Sequence, residues 1–223
     1  PVAIVYGAVL FSFRMRNWER GRPDNRATTA KNVKTRMKDF RAGVYMQTLL
    51  RDPAAGIMHS LIYFSFLILL AVTTILEINH QVPEGLKFLN GDVYKAYSFV
   101  GDAAGVALTV GVLWAIFRRY VQKPYRIRIK SKPEHAVILG ILLLLPLTGF
   151  AAEAWRIAEE GMPSFEKWSF VGYPIALLIE DTSHIAGWHQ FWWIFHVLVF
   201  VAFLATLPVT MLRHMCTSPI NMY

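Results

Sequence analysis

At 223 residues, 55% of them hydrophobic, with a mean hydropathy of +0.37, the chain is more apolar than a soluble domain, which sits near about 45–50%. Several apolar runs reach the roughly 18–20 residues needed to cross lipid, and no period-two alternation appears, so the chain reads as a polytopic α-helical membrane protein and not as an outer-membrane barrel. The net charge of +8 is concentrated in two loops, which argues against nucleic acid as a partner, and the single cysteine, Cys216, excludes an intramolecular disulfide and an iron–sulfur cluster held within this segment.

The expected architecture is an all-α, five-helix transmembrane bundle. The first helix is an apolar run over residues 1–13. It opens on Pro1 and not Met, so the chain is expected to be part of a longer protein, with this helix truncated. The others are expected near 57–78, 99–117, 136–155 and 191–212, with Pro146 and Pro208 inside the last two as kink sites.

Loop charge sets the expected orientation. Segment 14–51 carries Arg14, Arg16, Arg20, Arg22, Arg26, Lys31, Lys34, Arg36, Lys38, Arg41 and Arg51, and segment 118–132 carries Arg118, Arg119, Lys123, Arg126, Arg128, Lys130 and Lys132. The opposite loops hold Glu77, Glu84 and Asp92, then Glu153, Glu159, Glu160, Glu166, Glu180 and Asp181. The positive-inside rule puts the basic loops and the C-terminus in the cytoplasm, with anionic lipid as their partner. The long connection 156–190, with Trp168, Phe170, Tyr173 and Trp188, is expected to fold back on the membrane surface.

Histidine carries the chemistry. His196 and His214 are 18 residues apart, which on one continuous helix is five turns, or about 27 Å along one stripe. His59 and His80 stand near the two ends of the second expected helix. Ionisable side chains inside membrane helices are costly and are functional candidates. In a serpentine of helices, His59 and His214 fall at the cytoplasmic depth, and His80 falls at the outer depth with His196 or His189. Two helices offering imidazoles at matched depths are what a bis-histidine b-type haem requires, and filled axial positions suit electron transfer. Interfacial histidines with no ligand role fit His135 and His184. Zinc or copper is a weaker reading, because no close cluster with metal-ligand spacing appears.

These residues resemble the membrane cytochrome b subunit of respiratory nitrate reductase, from about Gly56 to Tyr223. The spacing of His196 and His214, followed by Ser218-Pro219, carries that likeness. The stretches RDPAAGIMHS, RRYVQKPYRIRIK, FEKWSFVGYP and LRHMCTSPINMY are similar to the N-terminal membrane domain of actinobacterial iron–sulfur reductases related to heterodisulfide reductase. The resemblance implies a bacterial cytoplasmic membrane protein with one or two haems b. It implies His59 and His214 as ligands of the cytoplasmic-side haem and His196 as a ligand of the outer one. The family has a second histidine where this chain has Leu69, so either His80 is the outer partner, with His189 an alternative outer ligand in place of His196, or the outer haem is absent. Lys87, after Pro83, corresponds to a lysine implicated in quinol binding. Arg213, with Arg51 and Arg118, is a candidate partner for haem propionates.

The implied activity is oxidoreduction of the electron-transfer flavoprotein:quinone type, linking the flavoprotein of fatty-acid β-oxidation to menaquinone. A cytoplasmic iron–sulfur domain is then expected beyond residue 223, with its clusters outside this segment. Glu77, Glu84 and Glu153 are candidate proton carriers for the quinone. The alternatives are a quinol-oxidising cytochrome b subunit of another respiratory reductase, a transporter using a histidine relay, and an anchor without haem.

Overall fold

The computed structural model describes residues 2–20, 28–47, 49–180 and 183–222; Arg22, Arg26 and Asp181 of the loop-charge reading lie outside them. Nine α-helices are described: α1 (Val2–Glu19), α2 (Ala30–Val44), α3 (Pro53–Gln81), α4 (Gly91–Phe117), α5 (Tyr125–Arg128), α6 (Pro133–Glu159), α7 (Gly172–Ala176), α8 (Ile185–Thr206) and α9 (His214–Met222). Among the described residues no strand occurs, and four helices are long and apolar enough to cross a membrane: α3, α4 with its π-helical extension to Gln122, α6 and α8. The all-α membrane class is as expected, and α1 stands where the first helix was read.

The boundaries differ from the expected ones for identifiable reasons. α6 runs to Glu159, past the expected end near 155, and closes on Gly161 at φ +77. Met162 N–H donates to Ile157 O at 3.0 Å and Gly161 N–H donates to Ala158 O at 3.1 Å, the paired bonds of a Schellman cap. Met162 then packs on Ala154, Ile157 and Ala176. The connection after α6 is therefore shorter than expected and carries a 3-10 turn, Ser164–Trp168, and α7. The basic segment read as a loop contains α2, capped by the Thr29 hydroxyl, which accepts from Asn32 N–H at 3.3 Å.

The largest correction concerns the last span. α8 ends at Thr206, so Pro208 lies beyond it and not within it, and a 3-10 turn (Met211–Arg213) leads into α9. Pro208 offers no N–H to the Leu204 carbonyl and its ring clashes with that turn. The chain continues through Leu207 N–H to Phe203 O at 3.1 Å and Thr210 N–H to Thr206 O at 3.0 Å before the 3-10 turn begins. His196 and His214 thus stand on separate helices, and the single-stripe reading of their spacing does not hold.

The chain forms two compact units, residues 58–199 and residues 1–57 with 200–223. In the first, α4 and α6 form the core. Ala104, Leu108 and Val112 recur every fourth residue on α4, Ile138, Leu142 and Leu145 do so at helical spacing on α6, and all six are buried. Glycines permit the closest approaches. A Cβ at Gly105 would lie 2.5 Å from Phe150 Cζ of α6, and one at Gly111 would lie 3.0 Å from Leu61 Cβ and 3.2 Å from the Ile62 nitrogen of α3. The Tyr97 hydroxyl donates to the Val72 carbonyl at 3.0 Å, tying α4 to α3 again. α3 leaves most of its apolar surface uncovered, as a lipid-facing helix does.

In the second unit α2 packs against α9. The turn Leu49–Arg51 folds back on the first turn of α3, where a Cβ at Gly56 would lie 2.7 Å from Leu50 Cα.

Candidate functional site

Two buried polar arrangements lie in the unit formed by residues 58–199, and both are anchored on α6. The first is built on His196 of α8. Its Nδ1 lies 2.8 Å from Thr148 Oγ1, and Gly149, the next residue of α6, leaves room for the ring: a Cβ there would stand 3.5 Å from His196 Cε1. The direction of the hydrogen bond follows from the hydroxyl. Thr148 has one proton, and its shortest contact, 2.7 Å, is to the Leu144 carbonyl, which can only accept. Oγ1 therefore accepts from His196 Nδ1–H, and the lone pair of the neutral ring is on Nε2. That is the state a metal-ligating imidazole needs, with its other nitrogen oriented by a second hydrogen bond.

One turn further along α6, the second arrangement joins α4, α6 and the 3-10 turn. Glu166 is fully buried. Its Oε1 accepts from Tyr94 Oη at 2.7 Å and from Arg156 Nη1 at 2.8 Å, and its Oε2 accepts from Ser169 Oγ at 3.1 Å. Arg156 also donates from Nη2 to Tyr94 Oη at 3.0 Å and from Nη1 to Glu160 Oε2 at 2.9 Å. Ser98 and Ser169 share a hydrogen bond between their hydroxyls. Asp102, 2% exposed within α4, accepts from Val171 N–H at 2.6 Å and from Gly172 N–H at 3.4 Å. The Glu153 carboxylate of α6 lies against Gly172, whose N–H also reaches Asp102. Gly172 makes room for it, since a Cβ there would meet Glu153 Oε2 at 2.6 Å.

The sequence reading named Glu153 but missed Asp102, Arg156, Glu166, Tyr94, the two serines and Thr148. The available signal was Asp102 itself, a carboxylate in the middle of an apolar run.

The other sequence candidates are distributed as follows. His59 is on the second turn of α3, in the same unit as His196, and His214 opens α9 in the other unit. His214 Nδ1–H donates to the Met211 carbonyl at 2.6 Å, which assigns the ring lone pair to Nε2 as at His196. His80 is exposed near the end of α3. His189 Nδ1 is hydrogen-bonded to the Glu159 carboxylate. No group of three or more His, Cys, Asp or Glu forms a metal cluster among the described residues. His135 is buried at the start of α6, where its Nδ1 accepts from the Lys132 N–H at 2.9 Å, and His184 is exposed.

Lys87 ends the 3-10 turn Glu84–Leu86 and pairs with Glu84 Oε1 at 2.5 Å; such surface pairs are worth about 0–1 kcal/mol. The loop that carries it is held by Asn79, a buried residue whose Oδ1 accepts from Phe88 N–H at 2.9 Å and Leu89 N–H at 3.0 Å. Arg213 is exposed in the turn before α9. Glu77 and Glu84 are exposed, which leaves Glu153 as the interior member of the three candidate proton carriers.

The chain is 29% identical over 186 residues to the EtfAB:quinone oxidoreductase of Syntrophomonas wolfei, covering 78% of this chain and 25% of that protein. It is 27% identical over 180 residues to a probable iron–sulfur-binding oxidoreductase, FadF, of Bacillus subtilis, covering 78% of this chain and 24% of that protein. The chain thus spans about a quarter of the length of these curated relatives. No solved structure matches it. The profile of the nitrate reductase gamma subunit matches residues 66–223, a stretch that includes α4, α6, α8 and the His196 and Glu166 arrangements, and the chain belongs to that family.

Proposed function

We propose that this chain is the membrane electron-transfer part of a larger oxidoreductase, exchanging electrons between a cytoplasmic iron–sulfur or flavoprotein donor and menaquinone with the help of haem b. The observation that carries the reading is the Nδ1–H hydrogen bond from His196 to Thr148, which presents a neutral imidazole with its Nε2 lone pair in a transmembrane helix. Family membership and the names of the relatives, a quinone oxidoreductase and an iron–sulfur oxidoreductase, support the same class of chemistry. An electron-transfer flavoprotein as donor follows from the first of those names.

In this reading His59 and His214 hold a cytoplasmic-side haem, and His80 holds an outer one with His196, or with His189 in place of His196. When bound, haem would supply reversible one-electron chemistry. The chain's own part is to orient the imidazoles: Thr148 acts on His196 and the Met211 carbonyl acts on His214. Arg213, in the turn before α9, is the candidate partner for propionates, and Lys87, on the Asn79-anchored loop, is the candidate quinone contact. The basic segments, α2 among them, face the cytoplasm and its anionic leaflet. A cytoplasmic iron–sulfur domain completes the protein.

A reduced-minus-oxidised spectrum of the purified full-length protein, with its haem-to-protein ratio, tests the proposal directly. One or two b-type haems per chain are expected. A colourless preparation would overturn the reading and favour the histidine-relay transporter. Thr148→Val keeps the shape of the side chain and removes the hydroxyl. It is expected to weaken haem retention at His196 by about 10–100-fold, measured by haem loss to an acceptor protein. Retention equal to that of the unaltered protein would show that Thr148 does not orient a ligand.

A further inference from the structure

The connection between α4 and α6 mixes two kinds of residue. Over residues 118–132 it carries Arg118, Arg119, Lys123, Arg126, Arg128, Lys130 and Lys132, and no acidic residue stands between Asp102 and Glu134. The same segment exposes large apolar side chains: Tyr120 is 41% exposed, Val121 64%, Tyr125 69% and Ile129 60%. Loop charge alone accounts for the cations but not for the apolar residues among them. Since α4 and α6 are both long and apolar enough to cross a membrane, the segment that joins them is held at one membrane surface. Its charge is too dense for hydrocarbon and its apolar area is ill suited to water, so it matches the headgroup layer.

The backbone gathers these residues. The π-helical turn Arg118–Gln122 closes with Lys123 N–H donating to the Arg118 carbonyl at 3.0 Å, and Lys123 adopts φ +47. A left-handed residue followed by Pro124 stops α4 and turns the chain into the short helix α5. The two ends of the connection are tied by a chain of hydrogen bonds: the Ser131 hydroxyl donates to the Ile127 carbonyl at 2.9 Å and accepts from Arg119 Nη1 at 3.1 Å. That bond sets the Arg119 guanidinium at Ser131, which Lys130 and Lys132, both exposed, flank in the chain. A guanidinium fixed in such a cluster of cations suits a phosphodiester, which accepts several N–H donors and offsets the mutual repulsion. The Arg128 guanidinium lies 5.8 Å from the Tyr125 ring centroid, which keeps a cation beside an exposed aromatic.

We propose that the α4–α6 connection is a binding site for an anionic phospholipid, in which Arg119, Arg128, Lys130 and Lys132 meet the headgroup phosphate while Tyr120, Val121, Tyr125 and Ile129 enter the interfacial layer. This rests on the membrane-spanning reading of α4 and α6 and not on the haem assignment. A phospholipid is the occupant that answers both halves of the surface, because one molecule supplies a phosphate and an apolar body at adjoining depths. An acidic protein surface would answer the cations and leave the four apolar side chains against a charged partner.

The test uses the full-length protein, stripped of lipid in a neutral detergent and titrated with phosphatidylglycerol or phosphatidylcholine, with bound lipid counted by native mass spectrometry. The unaltered protein is expected to bind phosphatidylglycerol at least about tenfold more tightly, and the triple variant Arg128→Gln/Lys130→Gln/Lys132→Gln to lose that preference while binding phosphatidylcholine as before. Tyr125→Ser/Ile129→Ser is expected to weaken binding of both lipids. Equal affinity of the unaltered protein for the two lipids, or an unchanged preference in the triple variant, overturns the site and leaves the charge as a topology signal alone. Displacement of the lipid by inorganic phosphate at matched ionic strength also overturns it, since the site would then take an ion and not a lipid. Amide hydrogen exchange over residues 123–132 is expected to slow when phosphatidylglycerol is added; full protection before any lipid is added shows that polypeptide covers the segment and counts against the site. The b-type spectrum of the same samples keeps the two readings apart. A lost lipid preference with the spectrum intact removes this inference alone, and a colourless protein that keeps the preference removes only the electron-transfer reading.

Discussion

His214→Ala in the full-length protein is expected to abolish one low-spin b-type signal, lower the haem-to-protein ratio by one, and bring quinone-linked electron transfer to background. His59→Ala is expected to do the same. The physical reason is that each imidazole would be one of two protein ligands to the haem iron, and removing either would weaken its retention and alter its low-spin signal. The structure adds a reason specific to His214. Its Nδ1–H is committed to the Met211 carbonyl, so the ring enters α9 with Nε2 as the lone-pair nitrogen. Haemochrome stoichiometry with low-temperature spectra checks both variants. A double variant that keeps every haem would show that these two residues are not ligands and leave the assignment to other histidines.

The second large effect is on stability. Arg156→Leu is expected to destabilise the protein by about 3–5 kcal/mol, because it leaves the fully buried Glu166 carboxylate without its counter-charge. Arg156 has a side chain only 28% exposed and also donates to Tyr94 and Glu160, so one substitution removes the α6 donor from this network. The double variant Arg156→Leu/Glu166→Leu is expected to recover most of the loss, since replacing both members of a buried ion pair with apolar groups is close to neutral. Denaturant unfolding in detergent, read by tryptophan fluorescence of the single and double variants, gives the coupling. Equal destabilisation by the single and double variants would show that the network, and not the uncompensated charge, sets the cost.

Much of the membrane architecture was legible because its signals are local. Lipid demands long apolar helices, and those runs stand in the sequence wherever the structure has α3, α4, α6 and α8. Gly161 marked the end of α6 as a cap glycine, and reading it would have corrected the boundary placed near 155. Pro208 was read as a kink within a helix. It stands beyond the end of α8, because nothing compensates the backbone bond it removes, and the turn to α9 follows.

By itself, the sequence determined that the chain is helical, that it crosses a membrane, and which histidines offer themselves as ligands, because hydropathy and side-chain chemistry are properties of single residues and short runs. The tertiary structure decided which partners orient those residues. Thr148 meets His196 across 48 positions of sequence, Tyr94 meets Glu166 across 72, and Asp102 receives the Val171 N–H across 69. A hydrogen bond of that separation leaves no period or motif in the chain. It exists because α4 and α6 approach closely at Gly105, and because the turn after α6 brings residues 166–172 back over their polar ends.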